Sequence, residues 1–161
     1  MSVSEIILKM IAGSNGNRHD ISHFLKVYAY AKTIAECENL SAEERRTVEI
    51  AAVLHDIACP LCREKYGNTD GKHQEAEGAI LAREFLKDAD VETAERVVFL
   101  VGHHHTLQGI DGMDYQILIE ADYLVNADES GYSVANIQNA LTNIFKTETG
   151  KRLLKSIYLA G

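Results

Sequence analysis

The run from Val48 to Ala58 is almost wholly apolar, and it follows Ser41-Ala42-Glu43-Glu44. In that four-residue pattern the serine hydroxyl and the second glutamate satisfy backbone N–H groups at a helix start. The spacing therefore predicts a helix that opens after Ser41 and continues, buried, to about Ala58. A helix that is apolar on nearly every side must lie at the centre of other elements.

Helical signals recur along the rest of the chain. Val27, Ala31 and Ile34 follow His23 at i+4, i+8 and i+11, the spacing of one helix face. Further helices are expected over roughly 2–12, 74–87, 91–103, 115–126, 133–145 and 149–159, with Asp90, Asp114 and Ser133 placed as N-caps. Strand signals are thin. Asn15-Gly16 and Asp111-Gly112 lie between helical stretches and join no alternating segments. Gly, Asn and Asp gather at 13–20, 59–72 and 104–113, which are read as loops. With no internal repeat and no long linker, residues 1–161 are expected to form a single all-α domain of about seven or eight helices.

The 161 residues carry 16 Lys and Arg against 24 Asp and Glu, a formal charge of −8. An acidic surface repels a phosphate backbone, so polymeric nucleic acid is not an expected partner, whereas a small phosphorylated molecule in a local pocket is. No run approaches the roughly 18 apolar residues of a membrane span. Three cysteines without a secretion signal point to a reducing, cytoplasmic location. A homo-oligomer is compatible with the sequence.

Four ionisable residues, in three segments, stand where burial makes them costly. His23 lies on the apolar face of its helix. His55-Asp56 interrupts Ile50-Ala51-Ala52-Val53-Leu54 and Ile57-Ala58. Asp122 is set within Ile117-Leu118-Ile119-Glu120-Ala121-Asp122-Tyr123-Leu124-Val125. An ionised carboxylate in such surroundings costs several kcal/mol unless it is paired or coordinated. A lone histidine on an apolar face is commonly a hydrogen-bonded core residue, and a buried aspartate is often a cap or an ion-pair partner. Together, two imidazoles and two carboxylates make a mixed N/O shell suited to Mn, Fe, Co, Ni or Zn. Adjacent helical residues diverge by about 100°, so His55 and Asp56 reach one ion only from the inner edge of their helix.

Ile21-Ser22-His23-Phe24-Leu25-Lys26-Val27, then Ala52-Val53-Leu54-His55-Asp56-Ile57, then Glu120-Ala121-Asp122-Tyr123-Leu124 resembles the HD-domain metal-dependent phosphohydrolase superfamily over residues 21–126. The resemblance implies an HD-domain-like helical core with His23, His55, Asp56 and Asp122 as ligands of a divalent metal. A bare His-Asp dipeptide means little: His19-Asp20 falls in an expected loop.

Some branches of this superfamily place one or two histidines where His103-His104-His105 stands here, for a second metal ion or for the leaving group. His104 is the first choice and His105 the second. Those branches also have a histidine four residues before a Gly-Ala pair. That register falls on Gln74, and His73 comes one place early, a turn of about 100° on a helix. Lys26, one turn after His23, is a candidate for neutralising a substrate phosphate. Cys59-Pro60-Leu61-Cys62 follows a helix with no βαβ pattern around it, so it reads as an incidental pair near the pocket.

The function expected is hydrolysis of a small phosphorylated molecule, such as a nucleotide, by metal-activated water. Asp56 or Asp122 would orient that water, and His104 or His105 would protonate the leaving oxygen. The alternatives are a di-iron oxygenase on the same scaffold, which needs a second metal, and a non-enzymatic module that binds a nucleotide or metal.

Overall fold

The computed structural model describes residues 1–161 and contains nine α-helices and no strand. Helix α1 spans Val3–Gly13, α2 Arg18–Cys37, α3 Ala42–Leu54, α4 Cys59–Tyr66, α5 Gly71–Phe85, α6 Val91–Val101, α7 Met113–Glu129, α8 Val134–Asn143 and α9 Glu148–Tyr158. Helices α2, α3 and α7 pack against one another at the centre, α1 and α6 lie on α3, and α5 lies on α6.

The capping box forms as the sequence predicts: Ser41 accepts from the Glu44 N–H, and the Glu44 carboxylate takes the Ser41 N–H at 2.9 Å. Helix α3 then buries Val48, Ile50, Ala51, Ala52, Val53 and Leu54 together. It stops four residues earlier than expected. His55 is its C-cap, and Ile57 and Cys59 donate backbone bonds to Leu54 and Asp56, three residues back. This tight turn, in place of a continuous helix, carries His55 and Asp56. Helix α7 is buried on almost every side, with Ile117, Leu118, Ala121 and Leu124 in the core.

Asp90 and Ser133 cap α6 and α8 as expected, each accepting a backbone N–H. Asp114 does not cap α7. Gly112 is the N-cap, and the Asp114 carboxylate, in the first turn, is drawn instead to the Arg96 guanidinium at 2.6 and 2.7 Å. The expected loop at 59–72 contains the ninth helix, α4. Pro60 in its first turn suits a helix start, and Gly67 ends it in a left-handed conformation, φ 72°. Gly78 lets α5 approach the end of α6: a Cβ there would come within 2.9 Å of Val101 Cγ1. Gln74, one turn before Gly78, consequently faces the histidines that follow α6.

Candidate metal centre

Each inward-facing imidazole is oriented by a hydrogen bond from its far nitrogen. His55 Nδ1 lies 2.8 Å from the Ala52 carbonyl, and His104 Nδ1 lies 2.7 Å from that of Val101. A carbonyl only accepts, so both Nδ1 atoms carry a proton, and in the neutral ring each Nε2 turns a lone pair inward. His23 Nδ1 donates in the same way to Glu129 Oε2 at 2.9 Å. Partners of this kind fix the tautomer and ring angle of metal-binding histidines.

Four donor atoms meet at one point. His23 Nε2 and His55 Nε2 are 3.1 Å apart. Asp56 Oδ2 lies 3.2 and 3.5 Å from those two nitrogens, and Asp122 Oδ1 lies 3.2 and 3.4 Å from them. Ligands held about 2.1 Å from one ion are about 3.0 Å apart at right angles and about 3.4 Å apart in a tetrahedron. In the neutral rings that a bound cation requires, with both Nδ1 atoms protonated, the two facing Nε2 atoms have no hydrogen to share. Asp122 Oδ1 and His104 Nε2 are buried with no hydrogen-bond partner. Orphaned lone pairs and a two-imidazole, two-carboxylate donor set fit a divalent cation, which would satisfy the residues that otherwise repel or stand unpaired.

The electrostatics follow from this crowding. Burial raises the pKa values of Asp56 and Asp122, but the facing imidazoles, His55 for Asp56 and His23 for Asp122, outweigh it and hold both carboxyls well below their usual range. Burial opposes charging His23 and His55, yet the carboxylates beside them win. His23 is raised, and His55 is pushed up to about 9.

This shift fixes a pH dependence. The folded, ion-free pKa of His55 lies above its free value of about 6.5. The stability its ionisation contributes is therefore complete below about pH 6.5 and is lost as pH rises through about 9. Cation binding needs the neutral ring, so affinity should strengthen across the same interval. The difference in thermal midpoint between Mn²⁺-loaded and EDTA-treated protein should therefore widen from pH 6.5 to 9. A constant difference across that range would contradict the assignment of His55 as a ligand.

Of the other sequence candidates, His104 reaches the cluster, with Nε2 3.5 Å from Asp56 Oδ1, and Asp56, His104 and His105 form a second group that could hold an ion. His105 Nε2 is already engaged by Gln74 Oε1 at 3.0 Å. The Gln74 amide nitrogen is fixed on the Thr69 carbonyl, so its oxygen faces His105, which must donate. Although the outer side of His105 meets solvent, the protein packed around its ring and then His104 hold its pKa down, to about 4. It is therefore neutral at pH 7. His103 stays outside, stacked on Phe99 and donating to the Phe99 carbonyl. His73 also stays outside, stacked on Tyr66 with Nδ1 near Asn68, while Gln74 takes the inward position that the register anticipates.

Lys26 does not face the cavity above the cluster. Its ammonium pairs with Glu129 Oε1 at 2.9 Å, and that pairing, with the one to His23, holds the Glu129 carboxyl below its usual range against the effect of burial. Cys59 lies on the cavity wall and Cys62 is buried one turn on; both are unpaired. Burial, and for Cys59 then Asp56, raises their pKa values, so neither is a thiolate at neutral pH.

Sequence reasoning missed Glu129 and the pair formed by Asp20 and Arg63. Glu129 could have been found, since Asp122, Asn126 and Glu129 at i, i+4 and i+7 share one face of α7. The segment read as a loop at 13–20 ends in the first turn of α2, which brings His19 and Asp20 to the cavity mouth.

Three of the four donor residues, His23, Asp56 and Asp122, line an open cavity of about 320 Å³, and His55 lies fully buried behind them. A second compartment of about 230 Å³ shares His105, Asp122 and Asn126 with it and is walled by Leu107, Ile119, Tyr123, Tyr132 and Ile144.

A helical bundle in which histidines and aspartates from three separated segments converge below such a cavity is a helical domain built to hold a metal ion. The HD domain pattern matches residues 20–130, more than half of the chain, and the protein belongs to that family. Its structure is similar to the crystal structure of a predicted HD superfamily hydrolase from an uncultured Thermotogales bacterium. The TM-score is 0.67 at 25% identity, over 98% of this chain and 83% of the other. No curated protein matches the chain. None of its helices is long and apolar enough to cross a membrane.

Proposed function

We propose that this protein is a metal-dependent phosphohydrolase acting on a small phosphorylated molecule of nucleotide size. One observation carries the reading: four ligand atoms of His23, His55, Asp56 and Asp122 lie 3.1–3.5 Å from their neighbours, and three of these residues, His23, Asp56 and Asp122, line an open polar cavity. Membership of the HD domain family and the hydrolase name of the similar structure support it.

A divalent ion held by these residues would lower the pKa of a bound water and polarise a phosphoryl oxygen. The protein's own groups supply the rest. Asp56 offers Oδ2 to the cluster while Oδ1 faces His104, so its carboxylate can orient a water and accept its proton. His104 is fixed through Nδ1 on the Val101 carbonyl and has Nε2 3.5 Å from Asp56 Oδ1, so the proton that Asp56 takes from the water can pass through His104 Nε2 to the leaving oxygen. His105, neutral and bound to Gln74, positions the wall rather than donating a proton. The compartment walled by Tyr123, Tyr132 and Leu107 gives room for the organic part of the substrate.

The test is turnover of a panel of nucleotides and phosphate esters in the presence of Mn²⁺. Wild type is expected to hydrolyse at least one class, while His55→Ala and Asp56→Ala fall to background. Equal activity in all three proteins would overturn the proposal. An oxygenase reading needs a second ion on Asp56, His104 and His105; one ion per chain and no oxygen uptake would remove it.

A further inference from the structure

The cavity above the cluster is short of positive charge. Asp20, Asp56, Asp122 and Glu129 all line it, and Arg63 is the one lysine or arginine on its wall. Lys26, the basic residue that the sequence suggests, is spent on Glu129 outside. A phosphorylated substrate entering this acidic space meets one permanent cation besides any ion below.

That cation is held in a defined orientation. Arg63 comes from α4, and its two terminal nitrogens donate to Asp20 Oδ2 at 2.8 Å and Oδ1 at 2.6 Å, a fork-to-fork pair. Asp20 is largely buried in the first turn of α2, three residues before His23, so the pair ties the guanidinium to the helix that carries a ligand of the cluster. Only two of the five guanidinium N–H groups are used by Asp20, leaving three free. The Arg63 side chain is 43% exposed, open to the cavity rather than sealed in the pair. An arginine whose fork is fixed by a carboxylate loses little further freedom on binding a second anion, and its planar donors match phosphate oxygens.

We infer that Arg63 anchors the anionic oxygens of the substrate at the mouth of the cavity, with Asp20 as its positioning residue. The inference rests on the phosphohydrolase reading above and adds the residue that selects a phosphorylated substrate. The competing role is a plain staple between α2 and α4, which would affect stability alone.

Titration of the Mn²⁺-loaded protein with inorganic phosphate by calorimetry separates the two, together with steady-state kinetics on whichever panel substrate is turned over. Hydrogen bonds to charged groups are worth roughly 1.5–3 kcal/mol, so Arg63→Ala should weaken phosphate binding and raise KM by about 10-fold or more. The kcat should change less than about threefold, because the lost contact is made equally in the bound state and the transition state. Arg63→Lys should recover part of the affinity, and Asp20→Asn should fall between Arg63→Ala and wild type. Lys65→Ala, which removes the same charge from the same helix, should leave the phosphate Kd unchanged, and metal content should match wild type in every variant. Unaltered phosphate Kd and KM in Arg63→Ala, with only a lowered melting temperature, would overturn the inference, as would a wild-type protein that binds no phosphate. No turnover of any substrate by wild type would instead sink the phosphohydrolase reading, and the phosphate titration would still decide the role of Arg63.

Discussion

Asp122→Ala is expected to empty the metal centre. Wild type should retain about one divalent ion per chain after dialysis against Mn²⁺, and the variant close to none. Turnover should fall on the order of 10³-fold or more, equivalent to about 4 kcal/mol of lost transition-state stabilisation. The size follows from where the carboxylate sits. Asp122 Oδ1 lies 3.2 and 3.4 Å from His23 and His55 Nε2 and has no hydrogen-bond partner of its own. Without it, two inward lone pairs remain on neutral imidazoles with one carboxylate, Asp56, to balance an incoming cation. Asp122→Asn retains the volume and one oxygen but removes the charge, so its metal affinity should lie between the two. Elemental analysis of the dialysed proteins reads this directly. An alanine variant that keeps a stoichiometric ion and full activity would remove Asp122 from the centre.

Glu120→Ala should damage the fold rather than the chemistry, lowering stability by about 3–5 kcal/mol. The Glu120 carboxylate is fully buried, yet it is saturated with donors. Oε2 accepts from Gln116 Nε2 at 2.6 Å and from the backbone N–H groups of Lys146 and Thr147 at 3.1 and 3.2 Å, while Oε1 accepts from the Thr147 hydroxyl at 2.6 Å. Thr147 is the N-cap of α9, so one carboxylate fastens the C-terminal helix pair to α7. The contact is tight, since a Cβ on Gly150 would fall 1.9 Å from Oε1. Burial raises the Glu120 pKa and outweighs the bonds from Thr147 and Gln116 that oppose it. Truncation leaves several buried donors unpaired. Because about 1 kcal/mol shifts the midpoint of a domain this size by roughly 2–4 °C, a fall of about 10 °C is expected by circular dichroism. Glu120→Gln should cost less, and a loss below about 1 kcal/mol in Glu120→Ala would show that the network is dispensable.

Glu120 and Asp122 together mark where sequence reasoning reaches its limit. Both interrupt the same apolar run, and both are costly there for the same reason. On a helix, residues two apart point about 200° from one another, so one carboxylate must face away from the other. Periodicity around His23 and the apolar run before His55 were enough to place α2 and α3 and to mark His23, His55 and Asp56. Which of Glu120 and Asp122 met the histidines came from the resemblance, because α7 is buried on almost every side around them and its apolar run singles out neither. Segment 59–66 was unreadable for a related reason: Pro60 and the following charged residues look like a loop, yet proline is tolerated in a first helical turn. Arg63 and Asp20 lie 43 residues apart and pair only because α4 folds back over the start of α2. Nothing local records that meeting.

The converging segments bear on how the chain holds together. All three cysteines are free, so no covalent link bridges distant parts of the protein. A cation gripped by His23 and Asp122 would join points about 100 residues apart, and closing a long loop gains the most from such a tie. It would act as a removable rivet through α2, the turn after α3, and α7. Its affinity could exist only once the core had assembled, and chelation would then loosen the middle of the bundle before its periphery.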